Sequence, residues 1–581
     1  MNAIEQTLRA VAEAVLSDRD AAKVDLDALA DRMAQIADAN PNIGPRTRLK
    51  RLLKLISSRL GMALLGAYGP FASQPLSARR QTLMRWSTGR PLQRTAFQAL
   101  KRLALFAAYG CEPSLWPIGY EPLEPSAGFD LETSDLPSEA DFIVVGSGAG
   151  GSVAAAALAQ AGFDVCVLES GINPRQLGLN EADGFHQLFL GGGALTTRDL
   201  SVSILAGGAL GGGTTVNWLT CYRPPTLDQW ERDSGLPKRK IEEQIERIES
   251  RLEVNDNPVE LNLSNLALQR GCQNLGWSVH RLRRNGTNCA DRCAPCTFGC
   301  PYGAKQSAPL TYLKDACAHG AKIVCDAPAK RILFNRDRAT GVELSNGEQV
   351  MARRGVVIAC GAIESPALLL RSGLRGIGAN LSLHVTTATF AQYDDPVSAF
   401  WGAPQAVACD QFLDEGILIE TPALYPGFAA AAFPWPGDPL EPGLAVFLSI
   451  IADAGEGRIT LDRHGQAVID YRPGTRTSER LLKGIEEMIR LHEAAGGRNI
   501  RTLHQPPTDR PGKIVPNRIG LFSAHQMGSC SRAVDALGRA KGKDGLFIAD
   551  ASLFPTSLGV NPMITVMALA AYVAEDIVAS S

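Results

Sequence analysis

Two kinds of hydrophobic pattern follow one another along the chain. From Asp141 onward, short Val/Ile runs alternate with Ala-rich segments, as in "DFIVVGSGAGGSVAAAALAQAGFDVCVLES", and this order predicts an α/β domain. Further on, "HVTTATFAQYDD" and "GRITLDRHGQAVIDYRP" alternate apolar and polar residues with period two, which predicts antiparallel strands. Residues 544–580 again read as strand, loop and helix, so we expect them to rejoin the first α/β domain.

The N-terminal part has a helical pattern. In "RTRLKRLLKLISSRLGMALLG", one helical face carries apolar residues and the other is basic. "AFQALKRLALFAAYG" predicts another helix, and the Pro-rich stretch that follows predicts a linker. The apolar face consists of Leu49, Leu52, Leu53, Ile56 and Leu60, and the basic face of Lys50, Arg51 and Lys54.

Residues 45–110 contain thirteen Lys or Arg and no Asp or Glu. A basic amphipathic helix of this kind can lie on an anionic membrane surface. It can equally pack its apolar face on the rest of the protein and leave its basic face in solvent. The sequence leaves both interpretations open.

Composition narrows the class of protein. A chain of 581 residues is too long for one core, so several domains are expected. The net charge of −2 argues against a nucleic-acid-binding protein, and thirteen cysteines without a regular framework favour a reducing compartment, hence the cytoplasm. We find neither a signal-peptide pattern nor a run of 18 uncharged apolar residues, so no transmembrane span is expected.

A glycine turn joins the first predicted strand to its helix. In "GSGAGG", Gly146 permits the tight turn, Gly148 allows backbone to approach a diphosphate, and Gly151 allows the helix to pack closely on the strand. Glu169, at the end of the next strand, can accept hydrogen bonds from both ribose hydroxyls of a dinucleotide. Ser147 and Ser170 flank these positions and are further candidate ligands. The pattern predicts a dinucleotide site without separating NAD from FAD.

Four further motifs follow in order: "LGGGTTVNWLTCYRPP" (210–225), "VVIACGAIESPALLLRSGL" (356–374), "HQMGSC" (525–530) and "GLFIADASLFPTSLGVNPM" (545–563). Together with the glycine turn, they resemble the glucose–methanol–choline family of FAD oxidoreductases over residues 139–581. The resemblance implies FAD, an α/β Rossmann-like FAD-binding domain that is discontinuous in sequence, and an α+β substrate domain with an antiparallel sheet. The domains expected are an all-α N-terminal part with linker (1–138), a first FAD-binding part (139–372), a substrate domain (373–514) and a second FAD-binding part (515–581).

The same resemblance implies roles for individual residues. Flavin or its diphosphate would contact Gly211, Gly212, Thr214, Asn217, Asp550, Ala551, Asn561 and Met563. His525 matches the family's active-site histidine, and Asn561 matches the second position of the catalytic pair. A neutral imidazole can take the hydroxyl proton while hydride moves to the flavin, and an amide can donate to the developing alkoxide. His384 lies in a segment that resembles one near the flavin, and no role is assigned to it.

Four cysteines cluster within the loop 288–306: Cys289, Cys293, Cys296 and Cys300. The spacing fits an iron–sulfur cluster, a tetrahedral zinc site or a metal-free loop, packed or disulfide-bonded, and we assign no metal. The stretch "CAPCTFGCPYGAKQSAPLTYL", together with "WPIGYEP" and the helical N-terminal part, also looks like the long-chain (fatty) alcohol oxidases.

These resemblances imply oxidation of a lipophilic primary alcohol to the aldehyde, with O2 as acceptor and H2O2 as product. The alternative is an FAD-dependent dehydrogenase acting on a long-chain, cyclic, sterol or polyether alcohol, with a quinone or cytochrome as acceptor, through an iron–sulfur cluster if one is present. A non-redox use of the flavin is a further class, which the His525/Asn561 pair disfavours. Peripheral membrane contact through residues 45–110 suits a substrate that partitions into lipid, and the oligomeric state is left open.

Overall fold

The strand–turn–helix unit around the glycine turn lies at the centre of a mixed, seven-stranded sheet. The computed structural model describes residues 2–39, 43–117, 120–121, 124–256, 259–289, 293, 295–394, 400–437, 440 and 443–581. Five strands of this sheet run parallel, and an antiparallel hairpin extends one edge. Its path is Lys322–Val324, Val165–Leu168, Glu139–Val145, Gln349–Ile358, Arg338–Leu344 and Ala329–Asn335, with Leu546–Ile548 also paired to Gln349–Ile358.

The buried strand Glu139–Val145 feeds the helix Ala149–Gln160, which the C-terminal helix Met563–Ser580 covers. The chain's last segment thus returns to the first α/β unit, because strand Leu546–Ile548 pairs in parallel beside residues 356–358. The predicted Rossmann-like α/β class is confirmed.

A second, largely antiparallel sheet forms the other half of the molecule. Its path is Ile417–Glu420, Leu444–Ile451, Thr386–Gln392, Leu521–Ser523 and Val202–Ile204, with Arg498–Thr502 also paired to Thr386–Gln392. Two of these strands come from outside residues 373–514, and the pair Leu521–Ser523 and Val202–Ile204 is parallel. This sheet is therefore built from three separate parts of the chain. Its strand Leu521–Ser523 ends two residues before His525.

Helices and short strands complete the described chain. The remaining helices after residue 138 are Glu181–Leu188, Gly213–Val216, Leu227–Ser234, Lys238–Arg251, Leu263–Leu275, Tyr312–Ala318, Gly361–Arg371, Pro426–Ala432 and Thr475–Ala494. The small sheets are Ser126–Ala127 with Gln176–Leu177, His280–Arg281 with Val407–Ala408, and Ala379–Leu381 with Gly457–Leu461 and Ala467–Asp470.

The N-terminal part is helical, and the apolar stripe predicted there faces mainly inward. Leu53 and Ile56 are buried, and Leu49 and Leu52 pack against the core. Leu60 is 76% exposed because the helix ends at Ile56 and a new one begins at Arg59. The helices are Ala3–Val15, Asp18–Ala21, Leu26–Ala39, Ile43–Ile56, Arg59–Leu64, Leu76–Thr88 and Pro91–Tyr109.

Part of the basic character of residues 45–110 is also internal. Lys101, on the long helix Pro91–Tyr109, is buried and donates a hydrogen bond from Nζ to the Phe433 carbonyl at 2.7 Å. Arg102 reaches the Ser203 hydroxyl at 3.2 Å. Through these contacts Lys101 and Arg102 join the N-terminal helices to the second sheet and its flanking loops. Neither side chain is therefore available to a membrane surface.

One described helix, Met563–Ser580, is long and apolar enough to cross a bilayer by length and composition. Its 18-residue window is 72% buried inside the fold, and it carries Glu575 and Asp576 near its end. It packs on the glycine-turn helix as a core helix does. The segment "WPIGYEP" spans residues 116–122. Residues 118, 119 and 122 of this segment lie outside the described residues.

Candidate active site

The glycine turn has the close backbone contacts that its spacing predicts. Gly146 has φ +105°, and a Cβ there would lie 2.3 Å from the Ala359 carbonyl oxygen. A Cβ at Gly151 would lie 1.9 Å from the Gly146 oxygen. A Cβ at Gly148 would instead meet only the Gly212 Cα, at 4.0 Å. Two glycines are thus required by packing of the protein itself, and the third leaves open space.

Ser147 and Glu169 form one buried network. The backbone N–H and the hydroxyl of Ser147 both donate to Glu169 Oε2, at 3.1 and 2.5 Å. Glu169 Oε1 accepts from the Gly171 N–H at 2.8 Å and from the Ser170 hydroxyl at 3.2 Å. The carboxylate already has four donors, so a ribose hydroxyl would take the place of a side-chain hydroxyl such as that of Ser170, which is exposed and can rotate.

The segment 211–217 lies against this turn. The Gly211 N–H donates to Ser147 Oγ at 2.9 Å. The hydroxyl of Thr214 is used within the protein, since it donates to the Gly211 carbonyl at 2.7 Å and accepts from the Ala308 N–H. Asn217 Nδ2 lies 2.9 Å from Met563 Sδ, which brings two predicted flavin contacts together.

Asp550 accepts hydrogen bonds at the start of the helix Gly361–Arg371. Its Oδ2 accepts from the Gly361 N–H at 2.9 Å and from the Ser365 hydroxyl, and its Oδ1 accepts from the Ser552 N–H at 2.8 Å. Burial raises the pKa of this carboxyl, and these hydrogen bonds oppose the rise. The Ala551 carbonyl accepts from the Gly528 N–H, which ties this segment to "HQMGSC".

The residues present fit a dinucleotide. A Cβ at Gly213 or Gly361 would meet no atom within 4 Å, as at Gly148, where the nearest atom stands at 4.0 Å. Open glycine backbone and the first turn of the helix Ala149–Gln160 offer unpaired N–H groups and a positive dipole end to a diphosphate. FAD would be held by the turn at 146–151, segment 211–217 and the start of the helix Gly361–Arg371.

His384 contacts His525 and the segment that carries Asn561. Its Nδ1 is 3.4 Å from His525 Nδ1, and its Nε2 accepts from the Gly559 N–H at 2.8 Å. Gly559 is two residues before Asn561, so one buried imidazole contacts both catalytic segments. An antiparallel bridge between Ser382 and Met527 holds the His384 and His525 segments together. His384 has φ +45°, a conformation that non-glycine residues seldom adopt and that is often found at functional sites.

The surroundings keep both imidazoles neutral. Enclosure by the protein lowers the pKa of His525 to about 4, although part of its ring remains accessible. Burial, and secondarily His525, lowers the pKa of His384 well below its ordinary value. At neutral pH the His525 imidazole is therefore neutral, and a neutral imidazole can accept a proton.

Two residues missed by sequence reasoning contact the predicted site. Asn561 Nδ2 donates to Glu420 Oε2 at 3.4 Å, and Glu420 is fully buried. Lys305 is buried and donates to the carbonyls of Thr215, Asn217 and Cys296 at 2.6, 2.9 and 2.7 Å. A lone acid at the end of an apolar strand was the available signal for Glu420.

Lys305 links the cysteine loop to segment 211–217, because its ammonium group donates hydrogen bonds to carbonyls of both. Cys289, Cys293, Cys296 and Cys300 are free thiols, and burial raises the pKa of Cys293 and Cys296. Burial lowers the pKa of Lys305 to about 8. Among the described residues, which omit 290–292 and 294, no group of three or more metal-ligating side chains converges.

A mainly apolar cavity of about 730 Å³ lies elsewhere, between the N-terminal helices and residues 430–437. Its lining includes Leu16, Met84, Leu105, Phe433 and Trp435 and none of the predicted site residues.

Comparison with known proteins identifies the family. Residues 185–386 and 453–570 match the two models of the GMC oxidoreductase family, and residues 144–182 match an NAD(P)-binding Rossmann-like domain. An uncharacterised GMC-type oxidoreductase of Mycobacterium tuberculosis is 33% identical, over 86% of this chain and 87% of its own. The chain belongs to the GMC oxidoreductase family.

A plant alcohol oxidase and a solved structure are also similar to this GMC oxidoreductase. A long-chain-alcohol oxidase of Arabidopsis thaliana is 31% identical over 76% of this chain and 69% of its own. The solved structure of a variant of Aspergillus oryzae formate oxidase superposes with a TM-score of 0.57 at 16% identity, over 77% of this chain and 99% of its own, which shows a shared fold. The predicted family and FAD as cofactor are confirmed, and the protein is an FAD-dependent alcohol oxidoreductase.

Proposed function

We propose that this GMC oxidoreductase oxidises long-chain primary alcohols to aldehydes and passes the electrons to O2, giving H2O2. The observation that carries the proposal is the placement of His525 and Asn561 on two segments that a single buried imidazole, His384, contacts from either side. The likeness to the Arabidopsis long-chain-alcohol oxidase over three quarters of the chain supports the substrate class.

Oxidation of the alcohol removes a hydride from its carbinol carbon and a proton from its hydroxyl, and leaves the aldehyde. Bound FAD supplies the acceptor for the hydride of the carbinol carbon. His525, neutral because its pKa is lowered to about 4, takes the hydroxyl proton. Asn561 donates one N–H of its amide to the oxygen on which negative charge develops.

We also propose that the protein meets its substrate at a membrane surface, through part of residues 45–110. Leu60, Leu64 and Tyr68 are 76%, 71% and 94% exposed, and Arg59 and Lys54, which are close to them in sequence, are also exposed. Exposed apolar side chains that are close in sequence to cations favour an anionic lipid interface. The inward-facing stripe, the buried Lys101 and the half-buried Arg102 take no part in this surface.

Oxygen consumption tests the choice of acceptor. Purified protein with bound FAD would be given dodecan-1-ol in an oxygen electrode, with peroxide and aldehyde measured in parallel. The proposal expects one H2O2 for each aldehyde. Turnover that requires a quinone or an artificial dye, without oxygen uptake, would instead assign the protein as a dehydrogenase.

A further inference from the structure

Glu420 is a buried acid in contact with the active-site amide. It ends the strand Ile417–Glu420, in which every residue is buried, and its own side chain is fully inaccessible. Charged side chains are seldom buried this deeply unless they are paired or have a function. Neither the family motifs nor the predicted mechanism uses this residue.

One oxygen of Glu420 receives two amide groups. Oε2 accepts from Gln405 Nε2 at 2.5 Å and from Asn561 Nδ2 at 3.4 Å. Gln405 is itself held at its other end, because its Oε1 accepts from the Thr220 hydroxyl at 2.8 Å. An oxygen that accepts draws the nitrogen end of each amide toward itself. The carbonyl end of Asn561 is therefore directed away from Glu420.

Two oxygens in this cluster lack a partner. Among the described residues, neither Glu420 Oε1 nor Asn561 Oδ1 has a hydrogen-bond partner, although both atoms are buried. Buried polar atoms are nearly always paired, so unpaired ones on two contacting residues indicate a ligand that binds there.

The charges around Glu420 are few. Burial raises its pKa to about 8, while the hydrogen bond from Asn561 and the charge of Arg284 oppose the rise. Tyr222 also interacts electrostatically with Glu420. With two donors on Oε2, a proton on this carboxyl would reside on Oε1, so Oε2 remains an acceptor toward Asn561 in both protonation states.

We propose that Glu420 is a positioning residue of the active site, which holds the amide nitrogen of Asn561 and thereby fixes the groups that Asn561 presents to the substrate hydroxyl. The inference rests on the proposed function, in which Asn561 orients the alcohol. It adds a residue to the reaction without giving Glu420 contact with the reacting atoms.

The test compares variants that differ only in what they offer to Asn561. Glu420→Met removes the acceptor, whereas Glu420→Gln keeps a carbonyl oxygen at nearly the same place. Flavin reduction by dodecan-1-ol would be followed in anaerobic stopped flow, giving the limiting rate separately from the apparent Kd. We expect Glu420→Met to lower the limiting rate on the order of 100-fold with little change in Kd, because misplaced groups act on the reaction step. Glu420→Gln should recover most of the rate.

A double-mutant cycle identifies the partner. If Glu420 acts through Asn561, the double variant Glu420→Met/Asn561→Ala should reduce no more slowly than Asn561→Ala alone. Additive losses would overturn the proposal, as would a Glu420→Met variant that reduces at the wild-type rate. Glu420→Gln as slow as Glu420→Met would also overturn it and assign proton transfer to the carboxyl instead.

Glu181 provides a matched control. It is also buried, but its carboxylate accepts from the backbone N–H groups of Gly427 and Phe428. Glu181→Gln should leave the limiting rate unchanged. If Glu420→Met is not recovered folded with FAD, Glu420→Asp retains the carboxyl while withdrawing it by one methylene, and it should lose the same rate.

A structural readout separates this inference from the proposed function. Crystal structures of FAD-loaded wild type and Glu420→Met (or Glu420→Asp) would show the Asn561 amide without any turnover. A turned or disordered amide in the variant supports the inference even if dodecan-1-ol is not a substrate. An unchanged amide overturns it, whereas wild-type flavin that no primary alcohol reduces would overturn the proposed function alone.

Discussion

Adding a single methyl group at two glycines of the same turn should have opposite effects. In Gly151→Ala, the new Cβ would stand 1.9 Å from the Gly146 oxygen and 3.1 Å from the Ala359 Cβ. Ordinary contact begins at 3.4 Å, so strand and helix would have to separate by about 1.5 Å. Overpacking of this kind costs roughly 1–3 kcal/mol of folding stability.

In Gly148→Ala, the nearest atom to the new Cβ is 4.0 Å away, and the backbone (φ −68°, ψ −164°) suits alanine. The free energy of unfolding of the FAD-free protein should therefore stay the same or rise slightly. The methyl group would occupy the space that a diphosphate requires, so the Kd for FAD should rise by about 10- to 100-fold, or ~1.4–2.8 kcal/mol.

The assay is FAD binding to apoprotein, by quenching of flavin fluorescence, with denaturant unfolding of each apoprotein alongside. Gly148→Ala should show weaker binding at wild-type stability, and Gly151→Ala should show lower stability. If Gly148→Ala bound FAD as tightly as wild type, the diphosphate would not approach that Cα and the assignment of the turn would be wrong.

A change of pH and two sets of substitutions test the catalytic residues and the lipid surface. Because His525 must be neutral and its pKa is lowered to about 4, kcat/KM should hold as the pH falls to about 5 and decline near 4; a decline centred at 6.5 would contradict this. His384→Leu removes contacts to both catalytic segments, so flavin reduction should slow on the order of 10-fold with FAD retained; an unchanged rate in stopped flow would exclude the bridging role. Replacing Leu60, Leu64 and Tyr68 by Ser should reduce co-sedimentation with phosphatidylglycerol vesicles at low salt while a short water-soluble alcohol is oxidised normally; undiminished sedimentation would rule out that surface.

More of the nucleotide-binding part of the fold could be predicted from sequence patterns than of the second sheet. Gly146 and Gly151 have strict spacing because strand and helix backbones touch there, and such contacts are local in sequence. The second sheet could be predicted only as a class, since it combines strands Val202–Ile204 and Leu521–Ser523 from distant parts of the chain. Long-range pairing of short strands leaves little trace in periodicity.

The orientation of the amphipathic helix shows a similar limit. The pattern identified an apolar face but not what covers it, and the structure turns Leu53 and Ile56 inward while a helix break exposes Leu60. Glu420 was missed because a lone glutamate after "ILI" has no spacing motif; only the fold brings it to Asn561. The domain boundaries and the roles of the site residues remain predictions.

Anaerobic addition of dodecan-1-ol to FAD-loaded wild type and to His525→Ala tests directly whether His525 takes the alcohol's proton. The wild-type flavin should lose its visible absorbance with one aldehyde formed per flavin. His525→Ala should keep its bound FAD and reduce it on the order of 100- to 10,000-fold more slowly, because the proton acceptor is missing. Reduction of the variant flavin at the wild-type rate would show that this imidazole does not take the alcohol's proton.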